Sequence, residues 1–342
     1  MTKSNFIKDI TVYINENNTD ISLLKEKLTS EKYLIIVCGP TGVGKSKAAL
    51  ILARIFNTDL ISVDSMQSYI GMNIGTDKQD FTEYDIKQFM INICSPNHFL
   101  TSVEYRDMAR NIIGKEFFDK GRIPVLAGGS GLHIRAIVDE LMEAPEGDYD
   151  LRKKIKSGIE NAGLQYYYKK LQSIDYEYAK KIKPTDERRI IRAIEVFELS
   201  GKKYSEFQNK WHDRKAVYNC IFIGLSMDRK KLYEKLESRV DDMMDKGLED
   251  EVRQLVKNGY KDCFSLQQAI GYKELIKYFE GQYTLEEAVS EIKKNTRHLV
   301  KKQLTWFKAD SRINWITVNN YDSIYSLMME ILNIIRQQVT EI

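Results

Sequence analysis

The chain has 342 residues, of which 43% are hydrophobic and 30% are charged, and its formal net charge is +3. This length allows one α/β domain together with a smaller second domain. No stretch approaches the length of a membrane-spanning segment and the N-terminus has no signal-peptide core, so we expect a cytoplasmic protein without membrane contact. The four cysteines are isolated, which argues against a disulfide framework or a zinc knuckle.

Residues 1–30 predict a short helical extension without a recognisable function. A buried strand, KYLIIVCGP, then leads into the loop GPTGVGKS and a helix with apolar spacing, KSKAALILARIF. The loop has the G-x-x-x-x-G-K-S pattern, in which glycines turn backbone N–H groups toward a phosphate, lysine adds a positive charge and serine offers a hydroxyl to Mg²⁺. It predicts a di- or triphosphate site without indicating which ligand binds. The predicted phosphate-binding residues are Gly39, Pro40, Thr41, Gly42, Val43, Gly44, Lys45 and Ser46, with Ser46 as the metal ligand.

The next elements alternate between strands and helices. TDLISVDS is a second buried strand that ends at Asp64, VEYRDMARNIIGKEFFDKG is an amphipathic helix closed by Gly121, and RIPVLAGGSG is a third strand. This order predicts a doubly wound parallel sheet. Asp64 then lies at the edge where such sheets bind ligands, where it can complete a Mg²⁺ shell, act as a general base or cap a turn. The glycines of GGSG either let a substrate approach the backbone or form a tight turn.

The segment EAPEGDYD marks a domain boundary, after which helical patterns dominate. Predicted helices cover 151–172, 186–200, 229–258, 266–280 and 284–307, and the strand Asn219–Met227 can return to the sheet. The predicted fold class is α/β, a P-loop parallel-sheet core with an inserted, mostly helical basic subdomain. The predicted domains are the extension at 1–30, the catalytic core at 31–144 and 216–320, the insertion at 145–215 and a C-terminal helix at 321–342.

Positive charge is concentrated in two regions. Residues 151–215 contain 17 Lys and Arg against 9 Asp and Glu, and Lys293–Lys308 contains six cations and no acid. Either run alone is compatible with a solvated helix face. Two such runs with interleaved aromatic residues favour a polyanionic partner.

Six motifs together resemble those of tRNA dimethylallyltransferases, also called tRNA isopentenyltransferases. They are GPTGVGKS, ISVDSMQSYIGMNIGT, VLAGGSGLHIRA, PTDERRIIRAIEVFELSGK, QAIGYKEL and NTRHLVKKQLTWF, in this order over roughly residues 33 to 317. SVDSMQ and QLTWF are distinctive of that family, whereas the phosphate loop alone is not. The chain lacks the C-terminal zinc finger of eukaryotic members, so the resemblance is to the bacterial type.

The resemblance implies transfer of the dimethylallyl group from dimethylallyl diphosphate to N6 of the adenine 3′-adjacent to the anticodon of tRNA. Lys45, Ser46 and Mg²⁺ would neutralise the diphosphate leaving group. Asp64 matches the family's general base, which the weakly nucleophilic adenine amine needs. Arg239 and Thr41 match positions that contact the diphosphate.

The resemblance also implies contacts with the anticodon stem-loop of tRNA, through the insertion and the edge of the core, by a protein that acts as a monomer. Several of these residues have an alternative role: Ile190, Ile191, Ala269 and Ile270 suit the core or backbone contacts, and Arg188 and Arg189 suit ion pairs with Asp186 and Glu187. The matching residues are Asp64, Ser65, Met66, Gln67, Ser130, Arg152, Arg188, Arg189, Ile190, Ile191, Arg192, Gln268, Ala269, Ile270, Gly271, Tyr272 and Lys273.

Three other functions remain open from the sequence. An enzyme that prenylates free adenine nucleotides would use the same loop and aspartate, although it would not need a basic insertion. A small-molecule kinase would hold ATP in the loop and use Asp64 to activate a hydroxyl. A non-catalytic RNA-binding protein would keep the loop without turnover.

Overall fold

The structure, a computed structural model, describes residues 3–140, 144–209, 215–321 and 323–340. Its contacts define two compact units, Met1–Ile137 with Tyr218–Ile342, and Val138–Val217. The range 145–215 predicted for the insertion lies inside the second unit. The role of that unit in tRNA binding stays a prediction.

A parallel sheet forms the centre of the first unit. Among the described residues it has six strands in the order β3-β2-β4-β1-β5-β6, all pairs parallel. Every residue of the central strand β1 is buried, as expected where helices cover both faces of a parallel sheet. The predicted α/β class is confirmed. The strands are β1 Tyr33–Cys38, β2 Leu60–Ser62, β3 Gln88–Phe89, β4 Val125–Gly128, β5 Asn219–Ser226 and β6 Ile313–Thr317.

The helices flank this sheet and build most of the second unit. In chain order they are α1 Lys3–Glu16, α2 Asn18–Ser30, α3 Lys45–Phe56, α4 Ser102–Ile112, α5 Gly131–Val138, α6 Tyr149–Ala162, α7 Leu164–Ile174, α8 Tyr176–Ala179, α9 Glu187–Ser200, α10 Tyr204–Asn209, α11 Arg229–Asp245, α12 Leu248–Lys257, α13 Phe264–Gln268, α14 Tyr272–Phe279, α15 Leu285–Lys308 and α16 Ile324–Thr340.

Three helices predicted as continuous are each two helices, so those predictions were wrong. The breaks fall at Gly163, Gly247 and Gly271, whose φ angles are 86°, 92° and 97°. Such angles are accessible to glycine and end a helix, while the apolar spacing on either side continues and hides the break. The helices predicted at 186–200 and 284–307 are confirmed within one residue as α9 and α15.

The two ends of the chain share one hydrophobic core with the sheet. Tyr13 of α1 and Leu28 of α2 pack in the same cluster as Ile35 of β1 and Ile335 of α16, and all four are completely buried or nearly so. Lys27 also donates a hydrogen bond to the carbonyl oxygen of Val339. The N-terminal extension, for which the sequence predicts no role, therefore covers one face of the sheet together with α16.

The core role of α2 predicts a contrast between two leucines of that helix. Leu28→Ala empties a site that is 0% exposed and should lower the free energy of unfolding by about 2–5 kcal/mol. Leu23 is 62% exposed, so Leu23→Ala should change it by less than about 0.5 kcal/mol. Urea unfolding of both variants measures the difference, and equal small effects would contradict a core role for α2.

Candidate functional site

The phosphate loop connects β1 to α3 by a backbone path that requires glycine. Gly39 has φ 139°, and a Cβ there would lie 2.4 Å from the carbonyl oxygen of Leu225. Gly44 has φ 107° and immediately precedes α3, whose first N–H groups face the loop. Lys45 Nζ donates to the carbonyl oxygen of Pro40 at 2.8 Å. The loop is thus arranged around the lysine ammonium and the positive end of a helix, which suits an anion.

Lys45 is in electrostatic contact with two other predicted site residues. Burial lowers the pKa of Lys45 to about 8, the negative charge of Asp64 opposes this shift, and the positive charge of Arg239 adds to it. These interactions place Lys45, Asp64 and Arg239 in one site, although up to 194 positions separate them in the sequence. The ammonium lacks a full complement of solvent or counter-charge, so a bound anion would stabilise its protonated form.

Asp64 is held beside the glycines that follow β4. The N–H of Val63 donates to the carbonyl oxygen of Ala127 at 2.7 Å, and the N–H of Ser130 donates to that of Val63 at 3.2 Å. One carboxylate oxygen of Asp64 accepts the N–H of Met66 at 3.0 Å. This turn fixes the carboxylate at the carboxyl edge of the sheet, where the sequence places it.

Ser130 pairs with a neutral histidine. Its Oγ and His133 Nδ1 are 2.6 Å apart, and burial lowers the pKa of His133 to about 4. The His133 ring also lies against Tyr105, whose hydroxyl donates to the carbonyl oxygen of Ser62. The hydroxyl of Ser130 therefore has a fixed direction at the end of β4.

Gln303 of α15 joins two of these loops and was missed as a site residue. Its Oε1 accepts the N–H of Thr41 at 2.8 Å, and its Nε2 donates to the carbonyl oxygen of Gly129 at 3.0 Å. Three residues later, the Trp306 ring covers Gly131, where a Cβ would lie 2.0 Å from the ring. The motif QLTWF was a signal for these residues, but only the fold shows what they contact.

A loop after β2 supports the neighbouring side chains. Gln67 Oε1 accepts the hydroxyl of Ser62 at 2.7 Å, and its Nε2 donates to the carbonyl oxygen of Thr76 at 3.0 Å. Arg239 forms an ion pair with Asp77 at 3.0 Å, with a quarter of the arginine side chain exposed. Asp77 was also missed, because nothing in the sequence pairs it with a residue 162 positions away.

A cavity of about 60 Å³ lies next to the phosphate loop. Thr41 and Arg239 contribute polar groups to its wall, and most of the remaining wall is apolar. The lining residues are Thr41, Gly75, Arg239, Val240, Met243, Leu248, Ile270, Gly271, Ile292, Thr296 and Leu299. The cavity can therefore hold an apolar group whose charged end lies at the loop.

The predicted RNA-contacting segment 268–273 has mixed exposure. Gln268 is exposed, Lys273 is half-buried and 3.7 Å from Glu274, and Ile270 lines the cavity. Tyr272 is 0% exposed and donates its hydroxyl to Glu251 at 2.6 Å, while Ala269 is buried. The side chains of Tyr272 and Ala269 thus belong to the interior, and RNA contact by this segment stays a prediction.

Arginines of the second unit are largely paired with carboxylates. Arg152 and Arg192 both bind Glu195, which is 0% exposed, at 2.8 and 2.5 Å. Arg189 lies 3.4 Å from Asp186, so that predicted alternative is observed. Within the described part of the chain, Arg188 has no ion pair and its side chain is exposed. The neighbouring Ile190 is buried in the helical core, as the alternative reading of that residue expects, and Ile191 packs against that core.

The basic run on α15 divides into two halves. Lys293, Lys294 and Arg297 are paired with Asp241, Glu291 and Glu237. Lys301, Lys302 and Lys308 are exposed on the half that carries Gln303. Uncompensated positive charge thus concentrates toward the end of the helix nearest the phosphate loop.

Metal binding at this site would depend mainly on the ligand. The described residues contain no cluster of three or more histidine, cysteine or carboxylate side chains suited to a metal ion. Ser46 is exposed at the start of α3. A hydroxyl, water and phosphate oxygens are a usual shell for Mg²⁺ at a phosphate loop. No helix among the described residues is long and apolar enough to cross a membrane.

Comparison with known proteins identifies close relatives. The chain matches the family described as IPP transferase over residues 67–310. The tRNA dimethylallyltransferase of Bacillus cytotoxicus is 41% identical over 297 residues, 86% of this chain and 93% of the relative. The full-length tRNA isopentenylpyrophosphate transferase of Bacillus halodurans has a solved structure that is 37% identical, with a TM-score of 0.67 over 90% of this chain and 97% of that one. A eukaryotic dimethylallyltransferase acting on tRNA is 26% identical, with a TM-score of 0.72 over 87% and 77%.

The lowered pKa of Lys45 predicts how anion binding depends on pH. Inorganic diphosphate should bind the protein less tightly as pH rises from about 7 to about 9, because free Lys45 loses its proton near 8. Lys45→Met has no ammonium to lose at this position, so the ratio of its Kd to the wild-type Kd should fall as the pH rises over that range. Calorimetric titration measures both, and the ratio cancels the titration of the ligand. Lys47→Met, which changes the exposed lysine two residues on, should keep the wild-type profile; a ratio independent of pH would contradict the assignment.

Proposed function

The chain belongs to the IPP transferase family, and we propose that it transfers the dimethylallyl group of dimethylallyl diphosphate to N6 of the adenine 3′-adjacent to the anticodon in tRNA. The observation that supports this most directly is the cavity beside the phosphate loop, whose wall combines the polar Thr41 and Arg239 with aliphatic side chains such as Leu299. A kinase needs a phosphate loop too, but aliphatic side chains in a cavity wall next to the loop suit an isoprenoid chain better than a polar acceptor.

The diphosphate is proposed to occupy the loop with its charge facing Lys45 and Arg239. Both cations already interact with carboxylates, Lys45 with Asp64 and Arg239 with Asp77 at 3.0 Å. An incoming diphosphate would supply the counter-charge that the buried Lys45, whose pKa is lowered to about 8, lacks in the free protein. Ser46 would hold Mg²⁺ together with the diphosphate oxygens and water, and the ion would supply further neutralisation of the leaving group.

The proposed reaction moves one group and one proton. A bond forms between adenine N6 and C1 of the dimethylallyl group, while the C1–O bond breaks and its electron pair leaves with the diphosphate. Asp64 accepts the proton that N6 loses, through the carboxylate oxygen that Met66 does not occupy. Lys45 and the N-terminus of α3 stabilise the charge that develops on the leaving oxygen.

The adenine must leave its stack in the anticodon loop to reach Asp64, which costs a few kcal/mol. The exposed Lys301, Lys302 and Lys308 of α15 and the exposed Arg188 of the second unit offer positive charge for the RNA backbone. The side-chain amide of Gln67, three residues after Asp64, is already oriented by Ser62 and Thr76. An oriented amide suits reading the edge of a base. With tRNA as the acceptor, the proposed reaction takes place in the cytoplasm.

The proposed base predicts a loss of turnover with binding retained. Asp64→Ala should lower kcat by about 100-fold to 10,000-fold, while the Kd for an anticodon stem-loop changes little. Mass analysis of tRNA after incubation with dimethylallyl diphosphate and Mg²⁺ measures product. Asp80→Ala, at an exposed carboxylate of the same region, is the control and should retain wild-type turnover.

Full turnover by Asp64→Ala would exclude this residue as the base. The same assay distinguishes the acceptor, because AMP and an anticodon stem-loop can be offered side by side. Preference for AMP would support a free-nucleotide prenyltransferase instead. Phosphate transfer from ATP without prenylation would support a kinase.

The cavity predicts a substitution that acts on the apolar tail alone. Leu299→Phe enlarges a side chain in the cavity wall and should raise KM for dimethylallyl diphosphate about tenfold or more. Inorganic diphosphate has no tail, so its Kd should stay at the wild-type value. Leu23→Phe, at an exposed site of α2, should change neither. Equal loss of affinity for both ligands would show that the cavity does not hold the prenyl group.

A further inference from the structure

Glu251 of α12 accepts several backbone hydrogen bonds from a loop that follows β2. Its Oε2 accepts the N–H groups of Asn73 at 2.9 Å and Ile74 at 2.8 Å, and its Oε1 accepts that of Gly75 at 3.2 Å. Tyr272 donates its hydroxyl to the same Oε1 at 2.6 Å. Four donors thus converge on one carboxylate, and hydrogen bonds to an ionised acceptor are the strong ones.

Tyr272 fixes the loop from a second side. The tyrosine ring is completely buried and lies against Gly75, where a Cβ would be 2.5 Å from the ring. Burial and the neighbouring Glu251 both raise the pKa of Tyr272 far above its usual range, so its hydroxyl is a donor at any physiological pH. We call residues 73 to 77 the 73–77 loop. Glu251 of α12 therefore binds its first three N–H groups, and Tyr272 of α14 packs against its glycine.

The other end of the 73–77 loop holds the two side chains proposed to meet the two substrates. The carbonyl oxygen of Thr76 accepts from Gln67 Nε2 at 3.0 Å, on the side of the adenine. The carboxylate of Asp77 pairs with Arg239 at 3.0 Å, on the side of the diphosphate. Any displacement of the loop would therefore disturb one contact of Gln67 and one of Arg239 at the same time.

We propose that Glu251 and Tyr272 are positioning residues that align Gln67 with the adenine and Arg239 with the diphosphate through the 73–77 loop. Tyr272 lies in the segment whose resemblance suggested direct RNA contact, and its burial assigns it this indirect role. The inference rests on the proposed transfer reaction. It adds that the adenine site and the diphosphate site both depend on the 73–77 loop, so a substitution that displaces this loop should impair the alignment of both substrates.

The first test compares two glutamates on α12. Glu251→Gln removes the negative charge and should weaken binding of inorganic diphosphate about tenfold. Because both reacting groups lose alignment, kcat for prenylation of an anticodon stem-loop should fall about 100-fold. Glu249→Gln changes the glutamate that pairs with Arg253 instead, and both quantities should stay at wild-type values. If Glu251→Gln behaves like Glu249→Gln, the positioning role is overturned.

The second test asks whether Glu251 acts through Asp77. Asp77→Asn alone should also weaken the binding of inorganic diphosphate. The double variant should bind about as weakly as the weaker single variant, because both substitutions interrupt the same chain of contacts. Losses that multiply would mean independent actions and would overturn the proposal.

A role limited to stability is separated by a milder variant. Tyr272→Phe keeps the buried ring and removes only the hydroxyl, so the protein should keep a cooperative thermal transition while kcat falls. A changed Tm with unchanged kcat and diphosphate affinity would reduce Glu251 and Tyr272 to structural residues. Wild-type protein in the same assay tests the proposed function separately. If it does not prenylate RNA, that function fails, while the diphosphate measurements still report on the loop.

Discussion

The site depends on the order of three neighbouring strands. β4 lies between β1 and β2, and all three run parallel, so the phosphate loop, the Gly128–Ser130 turn and Asp64 emerge at one edge. The spacing at this edge is as close as backbones allow, since a Cβ on Gly128 would lie 1.9 Å from the carbonyl oxygen of Val63. Parallel pairing thus sets the distance between the phosphate loop and Asp64.

Side chains from distant parts of the chain hold this edge in place. Gln303 ties the phosphate loop to Gly129, and Glu251 ties the 73–77 loop to α12. Each uses a single polar side chain to satisfy several backbone groups that would otherwise lack partners. The helices that follow the insertion are therefore part of the site, even though the phosphate loop and Asp64 precede it.

The sequence predicts those parts of the site whose chemistry is local. β1, the phosphate loop and α3 form a continuous pattern, and Asp64 follows a strand, so both were found without the fold. Gln303, Asp77 and Glu251 were not, because most of their partners lie between 162 and 262 positions away, and such long-range hydrogen bonds produce no periodic pattern in the sequence. Strand β3 has only two residues, too few to form a pattern. Strand β6, INWIT, was missed although its β-branched and aromatic residues are typical of a strand. The Gly163, Gly247 and Gly271 breaks were missed because apolar spacing reports burial and not backbone angle.

The charges at the phosphate loop explain how a loop that binds phosphate can serve an enzyme that transfers a prenyl group. Lys45 is shared between Asp64 and the site of the anion, and burial keeps its pKa near 8, so its positive charge is poorly compensated in the free protein. In the proposed reaction, the diphosphate gains negative charge as the C–O bond breaks, and Asp64 loses its own negative charge as it takes the adenine proton. Both changes would weaken the interaction of Lys45 with Asp64 and strengthen its interaction with the leaving group during the reaction. The interaction is therefore stronger in the transition state than with bound substrate, which is the condition for lowering the barrier.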